Sequence, residues 1–327
     1  MTGPLPAVHS GPLLILINAG AGRADTAAIQ ATIEGVLRPA NRSYRIVLVK
    51  DPTRLAQIAR EAVVEAKACG GAVVVSGGDG TIHTVANAVL GSGCPMAVLP
   101  QGTFNYFGRV HGIPEDLEQA TRVLLNARPH PVQVGLLNGK LFLVNASLGL
   151  YPKLLEDRET YTKLYGRSRL VALCAGLMTV LHWKRPLRLT LEGHGVSTSM
   201  KTFTLFVGNN RLQLEQTGIP LAQALQDGQL AAVALRPVAT LGMLWLVLRG
   251  AFNRLGDADN VVTFSFTRLI VKRAAWSHRR RVKVAMDGEI HRLRTPLVFM
   301  VSPEPLLLLM PETADPPSTV AVTEAGC

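Results

Sequence analysis

The run Ala72–Leu90 (AVVVSGGDGTIHTVANAVL) constrains this 327-residue chain more than any other segment. An apolar, β-branched stretch passes directly into Gly77-Gly78-Asp79-Gly80-Thr81 and then into a pattern with helical periodicity. Three glycines in four positions let the backbone adopt φ > 0 and come close to a ligand with no Cβ in the way. The helix that follows offers free N–H groups and the positive end of its dipole, which together suit a phosphate. Asp79 would repel that phosphate unless a divalent cation or a proton intervenes, so its carboxylate points to Mg²⁺ or to proton transfer. The plain alternative is a tight turn in which Asp79 caps the helix.

The first 129 residues repeat this strand–loop–helix arrangement. Leu13–Asn18, Tyr44–Val49, Ala72–Ser76 and Met96–Leu99 read as short strands, separated by helical patterns such as Leu55, Ile58, Ala59, Ala62 and Val63. That alternation predicts a parallel sheet covered on both faces, with ligands at the carboxyl ends of its strands. The loop after the first strand, Asn18-Ala19-Gly20-Ala21-Gly22, is glycine-rich but lacks the third glycine of a dinucleotide fingerprint, and the chain has no GxxxxGK[ST] phosphate loop. After Met96–Leu99 come Gly102, Thr103, Asn105 and Arg109, the last two at the i, i+4 spacing of one helix face. Their amide, hydroxyl and guanidinium groups suit phosphate and ribose, although a surface turn with a solvated arginine has the same sequence.

Beyond Pro129-His130-Pro131 the texture changes. Val132–Leu137 and Lys140–Val144 flank Asn138-Gly139, a strong hairpin signal. Strand-like runs follow at Leu187–Leu191, Thr202–Val207, Leu230–Leu235, Val262–Lys272, Val282–Met286 and Leu297–Val301, interrupted by helical stretches near Pro152–His182 and Val238–Arg254. The expected fold is therefore α/β: a parallel-sheet nucleotide-binding domain over residues 1–129, a mainly antiparallel β-rich domain over 130–312, and a disordered Pro/Ser/Thr/Ala-rich tail over 313–327. In the second domain, Asp287-Gly288-Glu289 closes a basic strand with a turn that presents two carboxylates, unless it is simply a hairpin turn. Asp227-Gly228 reads as a β-turn opening the next strand.

Composition narrows the function classes. A hydrophobic fraction of 48% with 17% charged residues supplies a large core and excludes a disordered chain. Cys69, Cys94, Cys174 and Cys327 form no CxxC pair, which disfavours a zinc ribbon or a disulfide scaffold and fits reduced thiols in the cytoplasm. The formal charge of +11 favours an anionic partner. Nucleic acid is a poor one, because aromatics are 5% and no nucleic-acid-binding pattern appears. The most apolar run, Val238–Leu248, is shorter than the ~20 residues of a spanning helix. Two segments suit contact with the inner face of an anionic membrane: Val238–Leu255, with Trp245 and Arg249, and Ala274–Arg281, with Trp276 and Arg279–Arg281. A buried helix and a solvated hairpin tip are the respective alternatives.

Taken together, Gly77–Thr81, Pro100-x-Gly102-Thr103-x-Asn105 and Asp287-Gly288-Glu289 resemble the diacylglycerol kinase catalytic family of bacteria, which includes sphingosine and ceramide kinases and is distantly related to NAD kinases. The similarity runs from about Leu13 to Pro311. It implies a two-domain lipid kinase with its active site in the cleft between the domains, using ATP and Mg²⁺ to phosphorylate a hydroxyl of a membrane lipid such as diacylglycerol. On this resemblance Glu289 is the proton acceptor, Asp79 serves the ATP phosphates and Mg²⁺, and Asp287 completes the catalytic acids. The nucleotide would lie against Asn18, Gly20, Gly77, Gly78, Asp79, Gly80, Thr81, Gly102, Thr103 and Asn105. Asp227 would hold a structural Mg²⁺ with the carbonyls of Ala224 and Gln229. The chain departs from the family pattern at Ala19, where proline is usual, and at Thr84 and Tyr106, where acids are usual. Two other functions fit the same residues: an idle nucleotide- or lipid-binding protein of this fold, and a soluble NAD-kinase-like enzyme.

Overall fold

The fold is given by a computed structural model that describes residues 9–19, 25–102, 104–165, 186–193, 195–216, 221, 224–225, 227–238, 242, 260–273 and 281–311. Strands β1 (Leu13–Asn18), β2 (Tyr44–Val49), β3 (Ala72–Gly77) and β4 (Met96–Pro100) form as the sequence predicts, with helices α1 (Thr26–Leu37), α2 (Leu55–Ala68) and α3 (Asp79–Val89) between them. β1 pairs in parallel with β2 and β3, and β3 with β4. β3 is buried along its whole length, as expected of a strand with helices on both faces. Ile15, Val74, Ile82 and Leu99, all fully buried, lie in one core that spans the sheet and its helices.

Short helices α4 (Tyr106–Val110) and α5 (Leu117–Asn126) lead to β5 (Arg128–Val132), and the last described strand, β18 (Leu306–Met310), inserts between β4 and β5. The order of this first sheet is β2-β1-β3-β4-β18-β5. The chain thus returns to the first layer well after the division expected at residue 130. β5 carries Pro129 and Pro131 and sits at the sheet edge, where a missing N–H costs no ladder bond.

The rest of the chain forms two antiparallel sheets. One has the order β10 (Val196–Thr202), β9 (Leu187–Gly193), β14 (Arg268–Arg273), β17 (Leu297–Val301), β6 (Gly135–Leu137), β7 (Lys140–Phe142). The other has the order β13 (Val261–Phe266), β12 (Leu230–Leu235), β11 (Thr204–Gly208), β8 (Asn145–Gly149), β15 (Arg281–Met286), β16 (Glu289–Arg294). Phe142, Leu189 and Phe299 of the first pack with Leu148, Val207 and Phe266 of the second in a common core, so the two sheets form a sandwich. Helix α6 (Leu150–Tyr165) follows β8, and α7 (Arg211–Gln216) follows β11.

Three runs read as single strands differ in the structure, two by division and one by an early end. Val132–Leu137 splits between β5 and β6, and Lys140–Val144 ends at Phe142 before β8 begins at Asn145. Asn209 pins this corner, its Nδ2 donating to the carbonyls of Gln133 (3.1 Å) and Leu143 (3.0 Å). Val262–Lys272 breaks at Thr267, because Thr267 and Arg268 are both exposed and the inward–outward alternation slips by one. The slip lets Phe266 and Leu269 face the same core from opposite sheets. The helical stretch expected over Pro152–His182 is described only to Tyr165, while most of Val238–Arg254, the segment 274–280 and the tail lie outside the described residues. No helix among the described residues is long and apolar enough to cross a membrane.

Leu308 of β18 is fully buried. Leu308→Ala is expected to cost about 2–5 kcal/mol in urea denaturation. Unchanged stability would show that β18 is not integral to the first sheet.

Candidate active site

The glycine turn forms at the end of β3 because its side chains are small where the chain folds back on itself. A Cβ on Gly77 would lie 2.6 Å from Thr81 Cβ, so only glycine lets the first turn of α3 close there. Gly102, in the loop after β4, is packed against the same corner. A Cβ there would lie 3.1 Å from Gly78 Cα and 2.9 Å from Asn105 Oδ1. The two glycine loops are thus in backbone contact, and the amino end of α3 opens beside them.

Asparagines hold these loops from within. Asn18 Nδ2, at the end of β1, donates to Thr81 Oγ1 at 2.9 Å. Asn105 takes the left-handed conformation, φ +46°. Its side chain closes on its own loop, accepting from the Gly102 N–H at 3.0 Å and donating to the Gly102 carbonyl at 2.8 Å. Both residues are expected against the nucleotide; the bonds seen here brace the two glycine loops. Arg109 pairs with Glu115 at 3.2 Å on the exposed side of α4. Gly20 and Thr103 lie outside the described residues.

Asp79, the first residue of α3, faces the backbone N–H groups of Asn105 and Tyr106. It therefore joins the second loop to the first. Burial pushes its carboxyl above the ordinary carboxylate range; the N–H groups oppose that shift and the nearby Asp287 charge adds to it. Its Oδ1 is buried with no hydrogen-bond partner among the described residues. An unpartnered carboxylate oxygen beside a glycine turn fits a divalent cation that keeps most of its own water and phosphate ligands.

The sandwich reaches this corner through the β15–β16 hairpin. Asp287 (φ +46°) and Gly288 (φ +87°) make its two-residue turn, the positive-φ geometry that joins tightly twisted strands. That turn presents only one carboxylate. Glu289, exposed at the start of β16, points at the glycine turn, with Oε1 3.8 Å from where a Cβ on Gly80 would stand. Asp287 was expected among the catalytic acids, but both its oxygens are occupied. Oδ2 accepts from the Leu143 N–H (2.7 Å), and Oδ1 from the N–H groups of Val144 (2.8 Å) and Asn145 (3.0 Å). His83 Nδ1 lies 2.8 Å from Oδ2, and because a carboxylate only accepts, Nδ1 carries the proton. The left-handed backbone at Asp287 turns its side chain inward to these donors, and the bonds hold the hairpin turn in position.

No sequence motif marks His83, although it stands one helical turn after Asp79 on the same face of α3. Thr84 Oγ1 donates to the Gly80 carbonyl at 2.9 Å, so the residue that replaces the usual acid only closes the helix. Tyr106 stacks on Phe104, with ring centroids 5.8 Å apart. Asp227 lies on an exposed turn. The Ala224 carbonyl accepts from the Gln229 N–H at 3.0 Å and the Gln229 carbonyl from Gln133 Nε2 at 3.1 Å. The two expected co-ligands thus already have protein partners, and no group of three His, Cys, Asp or Glu that could hold a metal occurs among the described residues.

Known proteins resemble this chain in sequence and in fold. Residues 12–137 match the family described as "Diacylglycerol kinase catalytic domain". The "Probable lipid kinase YegS-like" of Pseudomonas aeruginosa (strain UCBPP-PA14) is 32% identical over 263 residues, which cover 77% of this chain and 81% of that protein. The diacylglycerol kinase of Bacillus subtilis (strain 168) is 38% identical over 88 residues, covering 26% of this chain and 29% of that protein. A crystal structure of a diacylglycerol kinase from Bacillus anthracis str. Sterne superposes with a TM-score of 0.68 at 18% identity, over 92% of this chain and 97% of that one.

Two outcomes test this geometry. Asp287→Ala strands three backbone N–H groups and is expected to cost about 3–5 kcal/mol by denaturant titration, against a smaller loss for His83→Ala; equal, small losses would contradict the positioning role. Folding raises the Asp79 pKa above 3.8, so the native chain holds that proton more tightly than the unfolded one. The buried charge therefore destabilises the fold above the raised pKa, and the penalty vanishes as pH falls to 3.8. Asp79→Asn should gain thermal stability over the parent at about pH 8 and lose that advantage toward about pH 4; an advantage that grows in acid would contradict it.

Proposed function

This chain belongs to the diacylglycerol kinase catalytic-domain family, whose members are lipid kinases, and from that premise we propose that it transfers the γ-phosphoryl group of ATP to a hydroxyl of a membrane lipid such as diacylglycerol. The observation that carries this reading is the placement of Glu289 against the exposed Gly80 of the glycine turn. A phosphoryl transfer needs an anion cradle and a proton acceptor facing each other across the reacting phosphorus. Here the cradle is main chain and the acceptor comes from the sandwich.

The backbone N–H groups at the amino end of α3 would take the charge of the terminal phosphates, aided by the helix dipole. Gly78 and Gly102 leave the loops bare, so a triphosphate can lie against the backbone itself. The Asp79 oxygen left without a partner would hold Mg²⁺, which when bound supplies positive charge to neutralise the phosphate oxygens. Glu289 takes the proton of the acceptor hydroxyl as its oxygen bonds to the γ-phosphorus. The bond from that phosphorus to the β–γ bridging oxygen breaks, ADP leaves, and the phosphate monoester of the lipid remains. His83 and Asp287 take no proton; they fix where the Glu289 turn stands.

The test is incubation with γ-labelled ATP and fractionated membrane lipids, with NAD as a parallel acceptor. Label is expected in a lipid, and Glu289→Gln is expected to reduce kcat by about 10²–10⁴ with ATP affinity retained. Label in NAD alone, or a Glu289→Gln variant of near-parental kcat, would overturn the reading.

A further inference from the structure

The far end of the β15–β16 hairpin carries a charge arrangement that phosphoryl transfer does not use. Arg281 stands directly opposite Arg294, and Lys283 opposite Arg292, in the antiparallel register. Residues two apart share a face of a strand, so all four cations project from one side of the hairpin. Like charges directly opposite each other destabilise a sheet, and here two such pairs stand in succession on an edge.

Internal compensation is slight. Lys283 Nζ bonds Glu156 of α6 at 2.6 and 2.8 Å, and Lys153 pairs with Asp157 at 2.6 Å. Among the described residues no ion pair joins Arg273, Arg281, Arg292 or Arg294 to a carboxylate. These six cations and a single acid, Glu156, line a cavity of about 810 Å³, whose wall also includes Leu148, Pro152 and Leu187. The cavity lies apart from the transfer corner. Arg294 is five residues along β16 from Glu289, roughly 17 Å at ~3.3 Å per residue, and it faces the opposite side of the strand.

We propose that this cavity binds the phosphate headgroup of an anionic glycerophospholipid, at a site separate from the one where the phosphoryl group is transferred. Guanidinium and ammonium groups alike form charge-assisted hydrogen bonds to phosphate oxygens, and the leucine and proline wall accepts the start of an acyl chain. The opposed cations are then tolerated because an anion completes them. The site stands on charge and shape alone and does not require the kinase reading to hold.

The experiment is co-sedimentation of the full chain with vesicles of phosphatidylcholine, with and without phosphatidylglycerol. The parent is expected to bind only the phosphatidylglycerol vesicles, and the Arg292→Ser/Arg294→Ser double variant to bind them at least about tenfold more weakly. Without vesicles the double variant should be as thermally stable as the parent or more so, since a repulsion has been removed. A control that removes two arginines from the helical surface, Arg38→Ser/Arg122→Ser, should bind nearly as the parent does. Should the first double variant fold poorly, Arg292→Lys/Arg294→Lys keeps the charge and should restore both folding and binding. Equal losses in the two double variants, or a lysine variant that folds but does not bind, would overturn the proposal. Release by inorganic phosphate as readily as by a short-chain phosphatidylglycerol would reassign the cavity to free phosphate. Indifference to phosphatidylglycerol together with binding to a nucleic acid would also overturn it.

Discussion

The carboxylate of Asp287 joins the two layers of this protein. One oxygen accepts from the Leu143 N–H and from His83 of α3, the other from the N–H groups of Val144 and Asn145. A carboxylate has about four acceptor directions, and here each has a donor. Because Asp287 is also half of a two-residue hairpin turn, satisfying those donors fixes the turn, and the turn fixes Glu289. His83 and Asp79 lie on one face of a single helix, so the same bond relates the hairpin to the glycine loop. A site assembled from two layers needs such a tie, since a displacement of about 1 Å at the reacting atoms is costly to catalysis.

Within the first layer, the loops that leave β3 and β4 pack with no side chain between them. Gly78 and Gly102 approach each other backbone to backbone, and Asn18 and Asn105 spend their amides on holding loops. What remains is main-chain N–H, one buried carboxylate oxygen with no partner among the described residues and one exposed glutamate. Stability is given up in two places. The buried charge of Asp79 sits near a second carboxylate, and like charges oppose each other along the far end of the β15–β16 hairpin. Both are arrangements that folding alone does not favour and that a bound ligand would relieve.

The parallel layer was legible in the sequence because its strands are short apolar runs separated by helices, and the glycine turn because no ordinary turn needs Gly77, Gly78 and Gly80 together. The polar strands were not legible. β10 (VSTSMKT) and β16 (EIHRLR) lie at sheet edges, where one side of the strand is solvated and the apolar signature is absent. β18 (LLLLM) is apolar enough, but nothing local tells a strand that it belongs to a sheet formed two hundred residues earlier. At the site, the turn Asp287-Gly288-Glu289 was legible as a turn, yet not which acid faces inward. That choice depends on the φ of Asp287 and on donors from Leu143–Asn145, which are far away in the chain. His83 was hidden for the same reason, since its partner is 204 residues away.

The most direct measurement is a crystal structure of the full chain with Mg²⁺ and a non-hydrolysable ATP analogue. The arrangement described here requires the terminal phosphate to rest on the N–H groups that open α3, with the Glu289 carboxylate across Gly80 from it and Asp287 still bonded to His83. A nucleotide bound elsewhere with the glycine turn vacant, or a Glu289 carboxylate directed away from the terminal phosphate, would contradict it.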